Sequence, residues 1–205
     1  HPLLREIDAL RLVHAEADGL PGLILDRYAD HLVVKPGTPG MARRVPLLAE
    51  LLAAETPAKG AWLRGEPRRG APLSERALFG EIPDSPIEIH ERGRRYAVDL
   101  RRGQKTGFYL DQRDARDLFQ RLAPGCRAAD LFSYTGGFAA AALAGGAASA
   151  VAVDTSEPAL ALLARNAPEA SPVCEDVAAY LRRDPGPFDL IALDPPPLAK
   201  RKRDV

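Results

Sequence analysis

Apolar positions fall into two regimes along this chain, and the change between them comes near residues 80–100. In the first regime, short apolar stretches are broken by turn residues. Leu23-Ile24-Leu25 and Leu32-Val33-Val34, with Gly19, Gly22 and Asp30 around them, predict a β-hairpin within residues 12–34. Leucines at helical spacing predict a helix over 42–54. Residues 60–64 read as a strand and 67–72 as a basic loop. Ile87-Glu88-Ile89-His90 and Tyr96-Ala97-Val98-Asp99-Leu100 alternate with period two around Arg92-Gly93, the pattern of a second hairpin. The first regime therefore predicts a small α+β domain, residues 1–102.

From residue 103 the pattern becomes a regular alternation. Helices are expected over 111–122, 137–143, 157–166 and 177–183, and strands over 127–132, 148–153, 172–174 and 188–193. Pro124-Gly125 stops the first helix. Ser156 is placed to cap the third, with Pro158 in its first turn. Strands alternating with helices predict an α/β domain, residues 103–205, built on a parallel, doubly wound sheet.

Composition adds exclusions. The formal net charge is +0, so no global field draws the chain to nucleic acid. RNA binding would rest on local basic runs: Arg64, Arg68, Arg69 and Arg76; then Arg92, Arg94, Arg95, Arg101, Arg102 and Lys105; then Lys200-Arg201-Lys202-Arg203. Arg68, Arg69, Arg94 and Arg95 are the candidates for phosphate contact. Two cysteines, Cys126 and Cys174, make neither a disulfide framework nor a metal cluster, and both are expected to be small core residues. No apolar run approaches the length of a membrane span, and no apolar signal region opens the chain. The expectation is a cytoplasmic protein with no membrane partner and no metal. His1-Pro2-Leu3-Leu4 reads like the middle of a protein, which suggests a fragment.

The strongest chemical feature is Asp130-Leu131-Phe132-Ser133-Tyr134-Thr135-Gly136-Gly137-Phe138. It falls where a parallel strand ends and a helix begins, the place where such sheets bind ligands over a helix N-terminus. The three spaced glycines of a dinucleotide fold are missing, as is the lysine of a phosphate loop, so the ligand need not be a pyrophosphate. The next strand ends at Asp154, 18 residues beyond Gly136, where a carboxylate can accept two hydrogen bonds from ribose hydroxyls. Asp176 follows the third strand and Asp194-Pro195-Pro196 the fourth. One aspartate in such a place would be read as a helix cap. Four in succession point to a ligand.

The set Asp130–Phe138, Val153-Asp154-Thr155-Ser156 and Asp194-Pro195-Pro196 resembles the class I S-adenosylmethionine-dependent methyltransferases. Gly103-Gln104-Lys105-Thr106-Gly107-Phe108-Tyr109-Leu110-Asp111-Gln112-Arg113 and Glu16-Ala17-Asp18-Gly19-Leu20-Pro21-Gly22-Leu23 narrow the likeness to the bacterial 23S ribosomal RNA methyltransferases that act on cytosine C5. The likeness covers about residues 10–203. It implies a Rossmann-like class I methyltransferase sheet, incomplete here and preceded by the small α+β domain, with a PUA domain ahead of both in the family. It implies S-adenosyl-L-methionine as cofactor and 23S ribosomal RNA as partner. A homodimer is the other association open to the chain.

By the same resemblance Asp130, Phe132, Ser133, Tyr134 and Gly136 would line the cofactor pocket. Asp154 would hold the ribose and Asp176 would face the adenine. Lys105, Tyr109 and Arg113 would close the methionine end, and Asp194, Pro195 and Pro196 would border the target base. C5 chemistry needs a cysteine thiolate that adds to C6. Cys126 and Cys174 are badly placed for it, and in the family the nucleophile lies on a later strand, beyond residue 205. A chain ending here is therefore expected to be inactive alone, with Leu190-Ile191-Ala192-Leu193 as an unpaired edge. Pro197 stands where amino-group methyltransferases carry an aromatic. Guanine-N7 methyltransferases share the 103–113 pattern and are the runner-up; a non-catalytic cofactor- or RNA-binding fragment is the third reading.

Overall fold

The computed structural model describes residues 6–65 and 74–196. The chain divides into two compact units, residues 1–110 and 111–205. The sequence pattern puts the division at 102/103. The structure keeps 103–110 in the first unit because that segment is tied to the first sheet. The Thr106 hydroxyl donates to Asp26 Oδ2 at 2.6 Å and lies 2.8 Å from the Tyr28 hydroxyl, and the Phe108 N–H donates to the same Tyr28 oxygen at 3.2 Å.

The first unit holds a five-stranded sheet, β1 (Ala9–His14), β2 (Leu23–Tyr28), β3 (His31–Pro36), β4 (Gly60–Leu63) and β5 (Arg76–Gly80), in that spatial order. β3 and β4 are parallel because α1 (Pro39–Ala42) and α2 (Val45–Glu55) form a crossover between them; the other pairs are antiparallel. Leu23, Leu25, Leu32, Val34, Met41, Val45, Ala61 and Leu63 make its core. Asp26 is buried on the other face of β2 from Leu23 and Leu25, and Arg11 Nε and Nη2 donate to it at 2.8 and 3.0 Å. Burial and the Asp26 charge keep the Tyr28 phenol protonated well above its ordinary range. A separate hairpin, β6 (Ile87–Glu91) and β7 (Arg94–Val98), turns at Arg92-Gly93 as the alternation predicts.

β7 corrects one reading. Arg94 shares a strand face with Tyr96 and Val98 and is buried, its Nη2 donating to the buried Glu91 at 3.2 Å. Alternation turns Arg94 inward and Arg95 outward. Arg94 is therefore an internal ion pair and not a phosphate contact, while the exposed Arg95 stays available, 3.9 Å from Glu88. Arg68, Arg69 and the expected 67–72 loop lie outside the described residues. β5 is an addition to the expected elements.

The second unit is a four-stranded, wholly parallel sheet in the order β10-β9-β8-β11: β8 (Arg127–Leu131), β9 (Ser149–Asp154), β10 (Ser171–Cys174) and β11 (Leu190–Leu193). α3 (Arg113–Leu122) precedes β8, and α4 (Gly137–Ala144), α5 (Glu157–Asn166) and α6 (Val177–Arg182) link the strands. Ala-rich α4 buries Ala139, Ala140, Ala141 and Ala142, small side chains that bring a helix close to a sheet. The Ser156 side chain caps α5 by accepting from Ala159 N–H, as its position predicts.

Candidate functional site

All four strands of the second sheet point the same way, so their carboxyl ends form one edge, roughly 15 Å from β10 to β11 at ordinary strand spacing. Strand order reverses there: the chain steps outward from β8 through β9 to β10, then returns to the far side of β8 as β11. A crevice at such a reversal is the usual ligand position in open α/β sheets. Asp130, Asp154, Asp176 and Asp194 all lie on that edge.

The segment between β8 and α4 has an unusual backbone. Phe132, Tyr134 and Gly136 all take positive φ, at 63°, 49° and 77°. Two of these are not glycine, so the turn stores strain of about 1–2 kcal/mol at each, the kind of cost that persists where function fixes the conformation. The surroundings hold it. Ser133 N–H donates to Val153 O at 3.0 Å, Gly136 N–H to Ser133 O at 2.8 Å, and Asn166 Nδ2 to Thr135 O at 2.9 Å. Gly136 is required twice over: its φ is left-handed, and a Cβ there would sit 2.6 Å from Leu163 Cγ.

Asp154 organises the turn. Its Oδ2 accepts Tyr134 N–H at 2.8 Å and its Oδ1 accepts Ser156 N–H at 2.9 Å. One carboxylate thus couples the end of β9 to the turn above β8 and keeps lone pairs for further donors. Asp130 is buried, and its Oδ2 accepts Ala139 N–H at 2.9 Å in the first turn of α4. Burial pushes its carboxyl up to about 7; the Ala139 and Phe138 N–H groups pull it down, the Asp154 charge adds to the rise, and the Arg116 charge opposes it. Asp176 is the N-cap of α6, accepting Ala179 N–H at 2.9 Å, and is exposed. The capping role is thus real for Asp130 and Asp176, and local backbone work for Asp154.

The remaining candidates are placed as follows. Asp194 is exposed and accepts from Gln112 Nε2 at 3.0 Å; Pro195 and Pro196 follow it, exposed. Arg113 opens α3. In the first unit, Lys105 takes a positive φ of 54°, with Nζ 4.1 Å from the Tyr109 ring centroid, and the Tyr109 hydroxyl donates to Gln104 Oε1 at 2.7 Å. Phe132 packs against the cluster Ala129, Leu131, Val153, Val177 and Tyr180. The cysteines correct an expectation: Cys174 is exposed and Cys126 half-buried, because each lies at a strand end and not inside the sheet. Cys126 precedes β8, at the opposite end of the sheet from the ligand edge. Cys174 ends β10, with β9 and β8 between it and β11.

Sequence reasoning passed over Thr135 as a site residue. Among the described residues, Ser133 Oγ and Thr135 Oγ1 are buried with no hydrogen-bond partner. Such groups cost roughly 1–3 kcal/mol each unless a ligand or water satisfies them. Two orphaned hydroxyls in a strained turn over a helix N-terminus fit a polar ligand held there. The signal for Thr135 was its place inside the motif.

A parallel sheet with this turn, no phosphate-loop lysine and an acidic residue closing the next strand defines a fold that binds a nucleoside-type cofactor. The chain belongs to the S-adenosylmethionine-dependent methyltransferase family, whose pattern matches residues 54–172. It is 37% identical over 213 residues to ribosomal RNA large subunit methyltransferase I of Cronobacter sakazakii and of Escherichia coli, with 97% of this chain and 54% of each relative covered. The chain therefore spans about half the length of the curated relatives it matches. Two solved structures superpose with a TM-score of 0.81: a SAM-dependent methyltransferase from Streptococcus mutans, 27% identical over 93% of this chain and 53% of that one, and a methyltransferase complexed with SAH, 28% identical over 96% and 54%. The class I methyltransferase fold expected from the motifs is the fold observed. No helix among the described residues is long and apolar enough to cross a membrane.

Proposed function

We propose that the chain supplies the cofactor-binding part of an S-adenosyl-L-methionine-dependent methyltransferase that modifies 23S ribosomal RNA, at cytosine C5. The observation that carries the reading is the Asp154 clamp: one carboxylate fixes the turn after β8 while standing at the end of the neighbouring strand, where ribose hydroxyls bind in related folds. The relatives named above as ribosomal RNA methyltransferases supply the substrate class.

In this reading Asp154 accepts the ribose hydroxyls and Asp176 faces the adenine. Phe132, Ser133, Tyr134 and Gly136 line the cofactor, with Asp130 beneath them as the anchor of α4, and the free hydroxyls of Ser133 and Thr135 gain partners. Lys105, Tyr109 and Arg113 are assigned to the methionine carboxylate by the resemblance and by their chemistry, a charge-assisted pair being the strongest contact available to that group. Asp194-Pro195-Pro196 borders the target base. When bound, the cofactor supplies an electrophilic methyl group on a sulfonium, so this chain's task is positioning and exclusion of water. Arg95 is proposed to meet RNA phosphates, joined by Arg68 and Arg69.

The test is transfer of label from the cofactor to unmodified 23S RNA by the full-length gene product, followed by nucleoside analysis. Labelled 5-methylcytidine supports the proposal. Labelled 7-methylguanosine would replace cytosine C5 by guanine N7, and absence of cofactor binding altogether would refute the cofactor assignment.

A further inference from the structure

The C-terminal turn of α5 meets the segment after β8 twice. Leu163 is fully buried, and a Cβ at Gly136 would lie 2.6 Å from its Cγ. Asn166 follows three residues later on the same face of the helix and is half-buried. An asparagine at a helix end is ordinarily read as serving that end alone. Here the backbone closes the helix, Ala167 N–H donating to Leu163 O at 2.7 Å. The Asn166 side chain reaches 31 residues back along the chain, and its Nδ2 donates to Thr135 O at 2.9 Å. That carbonyl belongs to the peptide plane between Thr135 and Gly136. The N–H of the same plane donates to Ser133 O at 2.8 Å. A peptide is rigid, so two bonds at its opposite edges fix its rotation, and that rotation goes with the left-handed φ of 77° at Gly136. The side chains on either side, Ser133 and Thr135, are 6% and 2% exposed, and both hydroxyls are buried without a hydrogen-bond partner. Without Asn166 the plane is held at one edge only, and glycine tolerates most rotations of it.

We propose that Asn166 is a positioning residue for cofactor binding: acting through the Thr135 carbonyl, it holds the turn in the conformation that receives S-adenosylmethionine. The inference rests on the reading that the cofactor sits on this turn. Asp154 pins the same segment from β9 through Tyr134 N–H. Asp154 is also assigned to the ribose, so its loss mixes positioning with contact. Asn166 comes from α5, acts on a backbone oxygen and is assigned no cofactor contact, so its loss reports positioning alone. The hydrogen bond is between neutral groups and depends on a donor: a side chain of the same shape that offers only acceptors would push the Thr135 oxygen away.

The experiment is calorimetric titration of the full-length gene product with S-adenosylhomocysteine near about pH 8, where an aspartate side chain is ionised. Asn166→Ala removes the donor. Asn166→Asp keeps the shape and puts an acceptor where the donor was. Affinity should fall about tenfold in Asn166→Ala, the scale of one lost hydrogen bond, and further in Asn166→Asp. Amide exchange at Gly136 should quicken by about tenfold in both, because its peptide plane has lost one of two bonds. A side chain that merely fills space at the end of α5 predicts the opposite order, with Asn166→Asp binding as the unaltered protein does and Asn166→Ala binding less well. That order would overturn the proposal, and so would lower melting temperatures with unchanged affinities. Should Asn166→Ala fail to fold, the nearly isosteric Asn166→Asp decides alone: weakened binding supports the idea and the original affinity refutes it. Asp154→Ala separates the two layers. Unchanged affinity in that variant removes the cofactor reading itself, whereas weakened affinity there with none lost in either Asn166 variant keeps that reading and refutes the role of Asn166.

Discussion

Gly136→Ala is the sharpest probe of the turn. The residue sits at φ 77°, and a Cβ there would lie 2.6 Å from Leu163 Cγ and 3.0 Å from Leu163 Cδ1, while Leu163 itself is fully buried in α5. Two costs follow. A left-handed alanine costs about 1–2 kcal/mol, and forcing a methyl group into a packed contact costs about 1–3 kcal/mol. The sum, roughly 2–5 kcal/mol, should lower the melting temperature by on the order of 5–15 °C for a chain of this size. The two costs separate in a double-mutant cycle. Leu163→Ala alone should cost about 2–5 kcal/mol by opening a cavity. In the double variant the Cγ and Cδ1 atoms are gone, so the steric part disappears and the backbone part stays. Denaturant unfolding of the four proteins should show a favourable coupling of about 1–3 kcal/mol. Additivity within about 0.5 kcal/mol would mean that the glycine is needed for its φ alone and that the α5 contact is wrongly read.

Asp154→Ala should weaken S-adenosylhomocysteine binding by about 2–4 kcal/mol through lost charge-assisted hydrogen bonds, and calorimetry giving the original affinity would remove the ribose assignment. Arg94→Ala should destabilise the first unit by about 3–5 kcal/mol, because one member of a buried ion pair is removed. Arg95→Ser should leave stability alone and reduce the salt slope of RNA binding by about 1; a reversed pattern between these neighbours would undo the inward–outward assignment of β7. Asp130, whose carboxyl is pushed up to about 7 in the folded state, should make stability fall as pH rises from about 4 to about 7, since the unfolded chain releases that proton first. The gap corresponds to about 4 kcal/mol at most, flat above pH 7, and denaturation curves of the unaltered protein and Asp130→Asn that stay parallel over that range would contradict it.

The second unit was the more legible in sequence because each of its signals is local. Ser156 with Pro158 announces α5, Pro124-Gly125 closes α3, and four apolar runs between helices give the strands. The turn after β8 was legible as a motif, but its mechanics were not. Nothing in the letters shows that Phe132 and Tyr134 take positive φ, or that Gly136 packs directly against Leu163 of α5, since both depend on packing between elements distant in the chain. β5 is not legible because Arg76-Ala77-Leu78-Phe79-Gly80 has no alternation; an edge strand with three of its five residues exposed needs none. Arg94 departs from its expectation for the opposite reason. The alternation that identifies β7 turns Arg94 to the side of Tyr96 and Val98, although sequence proximity groups it with its charged neighbours. Arg116 drew no attention because an arginine in a helix of mostly polar residues reads as surface, and only the burial of that face reveals it.

The order of the strands also sets an order of assembly. β8 pairs with β9 through partners such as Ala128 and Ala150, 22 residues apart, whereas β11 reaches β8 through Leu190 and Ala128, 62 residues apart. Closing the longer loop costs about 0.9 kcal/mol more on the (3/2)RT ln n scale. It also requires the intervening helices and strands to be out of the way first. As the chain leaves the ribosome, the β8–β9–β10 half can pair strand by strand and form the turn that Asp154 clamps, while β11 and the Asp194-Pro195-Pro196 loop must wait. The half of the edge that carries Asp154 is thus complete before the half that carries Asp194 exists. Amide exchange should reflect the same sequence in reverse, with β11 opening to solvent ahead of β8 and β9.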